Sequence, residues 1–294
     1  MLARTYAYKP TYLVSYEVLQ DRDGLRVIKK IQEEGGCEIG AHLHPWLTPP
    51  YGTNNGRKKR YPFELEKSVL KAKLECLTDE IQQKCGVRPR SYRAGAWGFG
   101  RVNAEVLIEL GYLVDCSITP YVSWEKSAAF STKGKDFRKY DPRPFRIRSK
   151  TGSLLEVPVS IYVLKERLMN VKVFSHAFYN FGRTHPINRI ARLLGLRPIW
   201  LRPFNNDDLN RFRKIYRLAQ SRGIDFIEMM FHSSELMART NSTFKDEGDI
   251  HRLFGTFERF FANMREEGVL PATLYDCVSK THGAELKTVE ACSI

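Results

Sequence analysis

The chain has 294 residues, 43% of them hydrophobic and 12% aromatic, enough to bury a sizeable core in one large domain or two small ones. It carries 47 Lys and Arg against 33 Asp and Glu, a net charge of +14 that speaks to partners and not to fold. No apolar run approaches the roughly 18 residues of a membrane span, residues 1–10 lack the apolar core of a secretory signal, and the six cysteines include no Cys-x-x-Cys pair. Those features argue against a membrane-spanning chain, a zinc knuckle and a disulfide framework, and they make cytoplasmic residence the expectation.

Pro10 to Val18 reads as a strand. Asp21 to Glu34 reads as a helix, with an Asp start, Leu25, Val27, Ile28 and Ile31 on its apolar side and a Gly35-Gly36 stop. The next strand, Cys37 to Ala41, runs into Glu38-Ile39-Gly40-Ala41-His42-Leu43-His44-Pro45-Trp46. In a strand, residues i and i+2 share a face, so His42 and His44 aim at one point, and neutral imidazole is a common ligand of zinc and similar metals.

Arg57-Lys58-Lys59-Arg60 follows in a Pro/Gly/Asn-rich loop. A solvated loop explains it; so does an anionic substrate such as a sugar linked to phosphate or lipid diphosphate, or a membrane surface touched peripherally. Nucleic acid is not expected, because no recognition helix, stacking motif or zinc finger accompanies the charge.

Pro62 opens a helix at a position where a missing N–H is harmless, and Leu65, Val69, Leu74, Leu77 and Ile81 repeat at helical spacing until Gly86. Arg90 to Ala94 is a short strand, Val102 to Leu110 a helix, Tyr112 to Cys116 a strand. A long excursion, Ser117 to Lys150, belongs to a catalytic or binding rim, and a second, about Lys172 to Phe204, holds a small helix around Ile187 to Leu194. Leu154 to Val159 and Asp225 to Phe231 are strands, and Asp207 to Arg222 and Asp249 to Glu267 are helices. The alternation gives one α/β domain of the parallel-barrel type over residues 1–283, followed by a disposable tail, 284–294.

In such barrels reactive residues gather at the C-terminal ends of strands. Here those ends carry His42 and His44, then Arg93-Ala94-Gly95-Ala96-Trp97-Gly98-Phe99-Gly100, then Asp115-Cys116-Ser117, then Phe231-His232-Ser233-Ser234-Glu235. Each residue also has a plain structural reading. Arg93 suits a surface loop, Asp115 a turn cap, His232 the residue ahead of a Ser-x-x-Glu helix start, and Trp97 and Phe99 the core. His176, His185, His251 and His282 show no partner spacing.

With its histidine pair, Arg-Ala-Gly and His-Ser-Ser-Glu segments, the chain from about Pro10 to Ser279 resembles the NodB-type polysaccharide deacetylases of carbohydrate esterase family 4. The resemblance implies an irregular (β/α)7 barrel and removal of acetyl groups from a carbohydrate or glycolipid with one divalent metal, zinc being the expectation. It makes His42 the first metal histidine, Arg93 the tether of a catalytic aspartate, Asp115 the group that orients the catalytic histidine, and His232 that histidine, the general acid. The family's second metal histidine falls at Trp46, so His44 takes that role by strand geometry. Trp97 and Phe99 are the candidate sugar-binding faces.

The family's first motif, a strand ending in an Asp-Asp pair, supplies the general base and a third metal ligand and precedes the strand Thr11 to Val18. The ten residues before that strand contain no Asp or Glu. The first barrel strand is therefore expected to be missing, its place partly filled by Ala3 to Tyr8 or left as a cleft. Glu17, Asp21 and Asp23 are the nearby carboxylates. A metal-dependent deacetylase is the first reading; the other is a non-catalytic glycan- or metal-binding relative, or a shortened, inactive deacetylase.

Overall fold

The structure, a computed structural model, describes residues 5–51, 60–125, 133–165, 190, 195–205, 208–281, 283 and 285–294. Its frame is a seven-stranded sheet. Strand β1 (Thr11–Val14) pairs in parallel with β2 (Glu38–Leu43), β2 with β3 (Ser91–Ala94), and β3 with β4 (Val114–Asp115). Then β4 pairs in parallel with β6 (Gly152–Glu156), which forms an antiparallel hairpin with β5 (Phe145–Ser149).

The helices of this half follow the expected signals only in part: a short helix replaces the end of the expected strand Pro10 to Val18, and the helix expected to open at Pro62 begins at Lys67. Helix α1 (Tyr16–Gln20) leads into α2 (Arg22–Glu34), whose first turn is held by Asp21 accepting from Gly24 N at 2.6 Å. Helix α3 (Lys67–Cys85) follows a 3-10 turn at Pro62–Glu64 and closes on Gly86, whose φ of 71° is the left-handed conformation that glycine adopts without strain. Leu70, Leu74, Leu77 and Ile81 of α3 are fully buried, the i, i+4 stripe that joins the helix to the sheet. Helix α4 (Arg101–Glu109) buries Ala104, Val106 and Leu107 beside it.

A second layer holds α5 (Leu209–Ser221), α6 (Glu247–Glu266) and a small sheet of β7 (Ile161–Val163) and β8 (Pro198–Trp200). Phe212 of α5 and Phe257, Phe260 and Phe261 of α6 form its aromatic core. Helix α6 starts with Asp246 accepting from Asp249 N at 2.8 Å. A short helix, α7 (Asp276–Lys280), precedes the last strand, β9 (Thr288–Glu290).

Four expectations change. The excursion Ser117 to Lys150 contains β5, where buried Phe145 and Ile147 alternate with Arg146 and Arg148 as a half-covered strand requires. The supposed tail supplies β9, parallel to β5 with Ile147 opposite Val289, and buries Ala291. Residues 225–231 form no strand: Met230 N reaches Leu201 O and Glu228 N reaches Ser160 Oγ, so the segment is pinned without a ladder. The sheet order β1-β2-β3-β4-β6-β5-β9 is that of an open, mostly parallel sheet and closes into no barrel among the described residues. Arg57 to Lys59, His176, His185, His282 and the helix expected around 187–194, except residue 190, lie outside the described residues.

Beside the edge of β1 that has no partner strand among the described residues lies a cleft of about 3080 Å³, bounded by β1, residues 224–234 and α6. Tyr6 and Tyr8 reach its far side and pack on Phe261, Tyr8 stacking at 4.5 Å. Residues 6–8 thus form part of one wall of this cleft.

Candidate active site

The C-terminal ends of β1, β2 and β3 open into this cleft, and His42, His44, Arg93 and His232 all line it, with Glu17 and Glu228. His42 is the fifth residue of β2, and His44 follows the strand's last residue. As the two-residue repeat requires, the imidazoles meet, edge to face, with ring centroids 4.5 Å apart. His42 lies opposite Arg93 on β3, and the Arg93 carbonyl oxygen sits 3.0 Å from His42 Nδ1. A carbonyl only accepts, so Nδ1 carries the hydrogen and Nε2 keeps a free lone pair. Burial and the neighbouring His44 push the His42 pKa down to about 3, and burial also lowers that of His44.

The loop after the pair is fixed from below. Lys73 of α3 is fully buried and donates Nζ–H to Thr48 O (2.5 Å) and Pro50 O (2.9 Å). Gly95 explains the Arg-Ala-Gly run: a Cβ there would lie 2.5 Å from His44 Nδ1 and 2.5 Å from Leu43 O, so only glycine admits the second histidine. Ala96 (φ 53°) and Trp97 (φ 59°) follow in left-handed conformations, a strained turn beside the histidines.

Arg93 is 8% exposed; its Nε donates to Cys116 O at 3.1 Å and its Nη2 pairs with Glu228. The carboxylate tethered by this arginine is therefore one that sequence reading missed. One Glu228 oxygen, Oε2, is buried without a partner, and burial raises the Glu228 pKa against the opposing pull of Arg93. Glu17, at the start of α1, also has a buried oxygen without a partner and acts electrostatically on His44. Asp21 is spent on its helix cap and Asp23 on an exposed pair with Arg26, so Glu17 is the one carboxylate of the three at the site.

Asp115 does not orient His232. It is fully buried, and its oxygens accept from Ser117 N (3.0 Å) and Ser117 Oγ (2.7 Å). Its partner across the sheet is Glu156, directly opposite on β6; burial raises both pKa values, Glu156 far above its ordinary range, so the pair retains a proton. His232 instead meets Arg202 Nη2 at 3.2 Å from its Nδ1. It also heads the 3-10 turn Ser233–Leu236, its backbone N–H donating to Glu235 Oε2 at 3.0 Å. Phe99 is fully buried and does not line the cleft. Trp97 lines the cleft, but Trp124 stacks on it at 6.0 Å and the Arg93 guanidinium sits 5.3 Å from its centroid, so its faces are taken by the wall itself.

A mostly parallel α/β sheet thus delivers two converging histidines from a strand end to an open cleft. The two imidazoles fit two positions around a divalent ion, each neutral and one with its second nitrogen tied to a carbonyl. A protein-supplied third donor is not gathered in: among the described residues no group of three or more His, Cys, Asp or Glu is close enough to hold a metal. No protein-family profile and no curated protein matches the sequence.

Among solved structures, one assigned as a polysaccharide deacetylase from Mycobacterium smegmatis overlays with a TM-score of 0.52 at 14% identity, covering 98% of this chain and 76% of that one. That likeness shows a shared fold. A family 4 acetyl xylan esterase from Clostridium thermocellum, in complex with a cobalt ion, overlays 43% of this chain and 53% of its own (TM-score 0.27, 17% identity). A 4-alpha-glucanotransferase from Thermococcus litoralis overlays 66% of this chain and 26% of its own (TM-score 0.37, 14% identity). Neither of these two overlaps carries an argument. No helix among the described residues is long and apolar enough to cross a membrane.

Proposed function

We propose that this chain is a metal-dependent hydrolase that removes acetyl groups from a carbohydrate or glycoconjugate. The observation that carries the reading is the His42–His44 pair, edge to face at 4.5 Å at the end of a parallel strand, with His42 Nδ1 tied to Arg93 O. The fold shared with the Mycobacterium smegmatis protein supports it. His42 through Nε2, and His44, would hold the ion, with zinc the expected metal; Glu17 lines the same cleft. Such an ion polarises an acetyl carbonyl and lowers the pKa of water to about 7.

The remaining work belongs to the chain. Glu228, held by Arg93 with one oxygen free, is placed to take a proton from the attacking water, in the role of the acid expected ahead of β1. Glu228 would then return that proton to the leaving amine or alkoxide, while the imidazole of His232, in the same cleft, would hydrogen-bond the reacting group. The net charge of +14 favours an anionic substrate, and six unpaired cysteines suit a reducing, cytoplasmic setting.

The second reading, a non-catalytic binding relative, is favoured by the lack of a gathered third donor among the described residues. Metal content and acetate release separate the two. About one divalent ion per chain, lost in His42→Ala and His44→Ala, together with acetate release from N- or O-acetylated sugar oligomers that falls at least about 100-fold in Glu228→Gln, is the expected result. Bound metal without acetate release supports the binding relative. No bound metal overturns the metal-dependent reading.

A further inference from the structure

Where the His42 ring meets a carbonyl, the His232 ring meets a cation. Arg202 Nη2 lies 3.2 Å from His232 Nδ1, and a guanidinium has five donors and no acceptor. The contact is therefore a hydrogen bond only if Nδ1 is the bare nitrogen, which places the ring hydrogen on Nε2. Arg202 has no freedom to yield: its Nε and Nη2 grip Glu235 Oε1 at 3.1 and 2.6 Å, its side chain is 17% exposed, and its guanidinium lies over Phe204, 5.3 Å from the centroid. Glu235 in turn holds the His232 backbone N–H. The chain thus clamps both the backbone and the ring of His232 through one Arg–Glu unit.

We infer that Arg202 is a positioning residue that fixes His232 as the neutral, Nε2-protonated tautomer, so that His232 acts as a hydrogen-bond donor to the developing oxyanion and not as the proton-transferring acid. The inference rests on the deacetylase reading only for the identity of the oxyanion; the tautomer follows from the contact alone. The groups facing the ring are Arg202, Glu235 with its Oε2 4.0 Å away, Arg93, and the histidines His42 and His44. Adding a proton at Nδ1 would set a donor against the Arg202 donor and open the clamp. No covalent bond changes at His232; its Nε2 hydrogen bonds to the oxygen and stays with the ring. A neutral imidazole serving as electrophile instead of acid is established chemistry in other enzymes.

The test is a long-range proton–nitrogen NMR spectrum of the imidazoles in the full chain, with the His232 signals assigned by their loss in His232→Gln. The expected pattern is a bare Nδ1 and a protonated Nε2, becoming a tautomer mixture in Arg202→Met and in Arg202→Lys. A protonated Nδ1 in the native chain, or a pattern that Arg202→Met leaves unchanged, overturns the assignment; the native spectrum decides even if a variant fails to fold.

Acetate release against pH tests the donor role. Removing the Arg202 charge makes His232 easier to protonate, so in Arg202→Met the fall of activity on the acid side moves up by about one pH unit. A general acid would give the opposite: more imidazolium, and higher activity near neutral pH. Absence of acetate release with the expected spectrum removes the deacetylase reading and leaves the tautomer standing.

Discussion

Gly95 shows how one missing methyl group defines the site. Its absent Cβ makes room for His44 Nδ1 and Leu43 O, both 2.5 Å from where that carbon would lie. A strand-end carbonyl has little freedom to retreat, so Gly95→Ala displaces the histidine. The expected outcome is a 10- to 100-fold loss of metal affinity, by the same logic as loss of a ligand-orienting contact, read by chelator competition. A variant with native affinity would show that His44 is not a ligand.

The histidine pair itself was legible, because a two-residue repeat is written in three consecutive letters, His42-Leu43-His44. The partners of the other site residues were not. Arg93 finds Glu228 135 positions away, and His232 finds Arg202 30 positions away, with nothing in the local spacing of either to announce the pairing. The resemblance led instead to Asp115, whose strand-end position is right but whose side chain turns to Ser117 and Glu156. Glu156 carried a weak signal, an acid closing the apolar run Leu154-Leu155, next to a strand with another acid at its end.

Most helices and the parallel strands β1 to β4 follow their sequence signals, since capping residues and apolar repeats act locally. The last strand does not: Thr-Val-Glu at 288–290 is too short to show a period, and it becomes a strand because β5 offers it an edge. The 291–293 turn then buries Ala291, and the Lys135 ammonium reaches the Ile294 carbonyl at 3.3 Å. Removing residues 287–294 should therefore lower stability by about 3 kcal/mol, the loss of ladder hydrogen bonds and of two or three partly buried apolar side chains. A urea midpoint unchanged by the deletion would restore the disposable-tail view.

Helix α3 makes a similar point for function. Lys73 sits among leucines as the lone buried charge of its stripe and holds the carbonyls of Thr48 and Pro50 under the histidine loop. Lys73→Met keeps the volume and leaves both acceptors unpaired, at a cost of about 2–4 kcal/mol by urea denaturation. The histidine loop loosens with it, so on the metal-dependent reading proposed above metal affinity should fall in the same variant.

Across the whole molecule, two fully buried carboxyl groups, Asp115 and Glu156, lie opposite each other, and a third, Glu228, is 12% exposed and pairs with Arg93. Burial raises all three pKa values, that of Glu156 well above its ordinary 4.5. Above that value the folded chain holds a proton that the unfolded chain has released, so stability is fully present at lower pH and declines as pH rises towards the folded pKa. Thermal melts between about pH 5 and 8 should therefore show a shallower decline for Glu156→Gln than for the native chain. Equal slopes would mean that the acid pair ionises freely.

The free edge of β1 has a consequence for the protein in bulk. Thr11-Tyr12-Leu13-Val14 is uncharged and rich in strand-forming side chains, and among the described residues it pairs on one side alone, along a wide opening. Such an edge carries neither the inward charge nor the proline with which sheets deter edge-to-edge pairing. Solutions of this chain will accordingly lose monomer into β-rich aggregates in a concentration-dependent way even where its +14 charge keeps molecules apart at low salt, and added salt, by screening that repulsion, will hasten the loss.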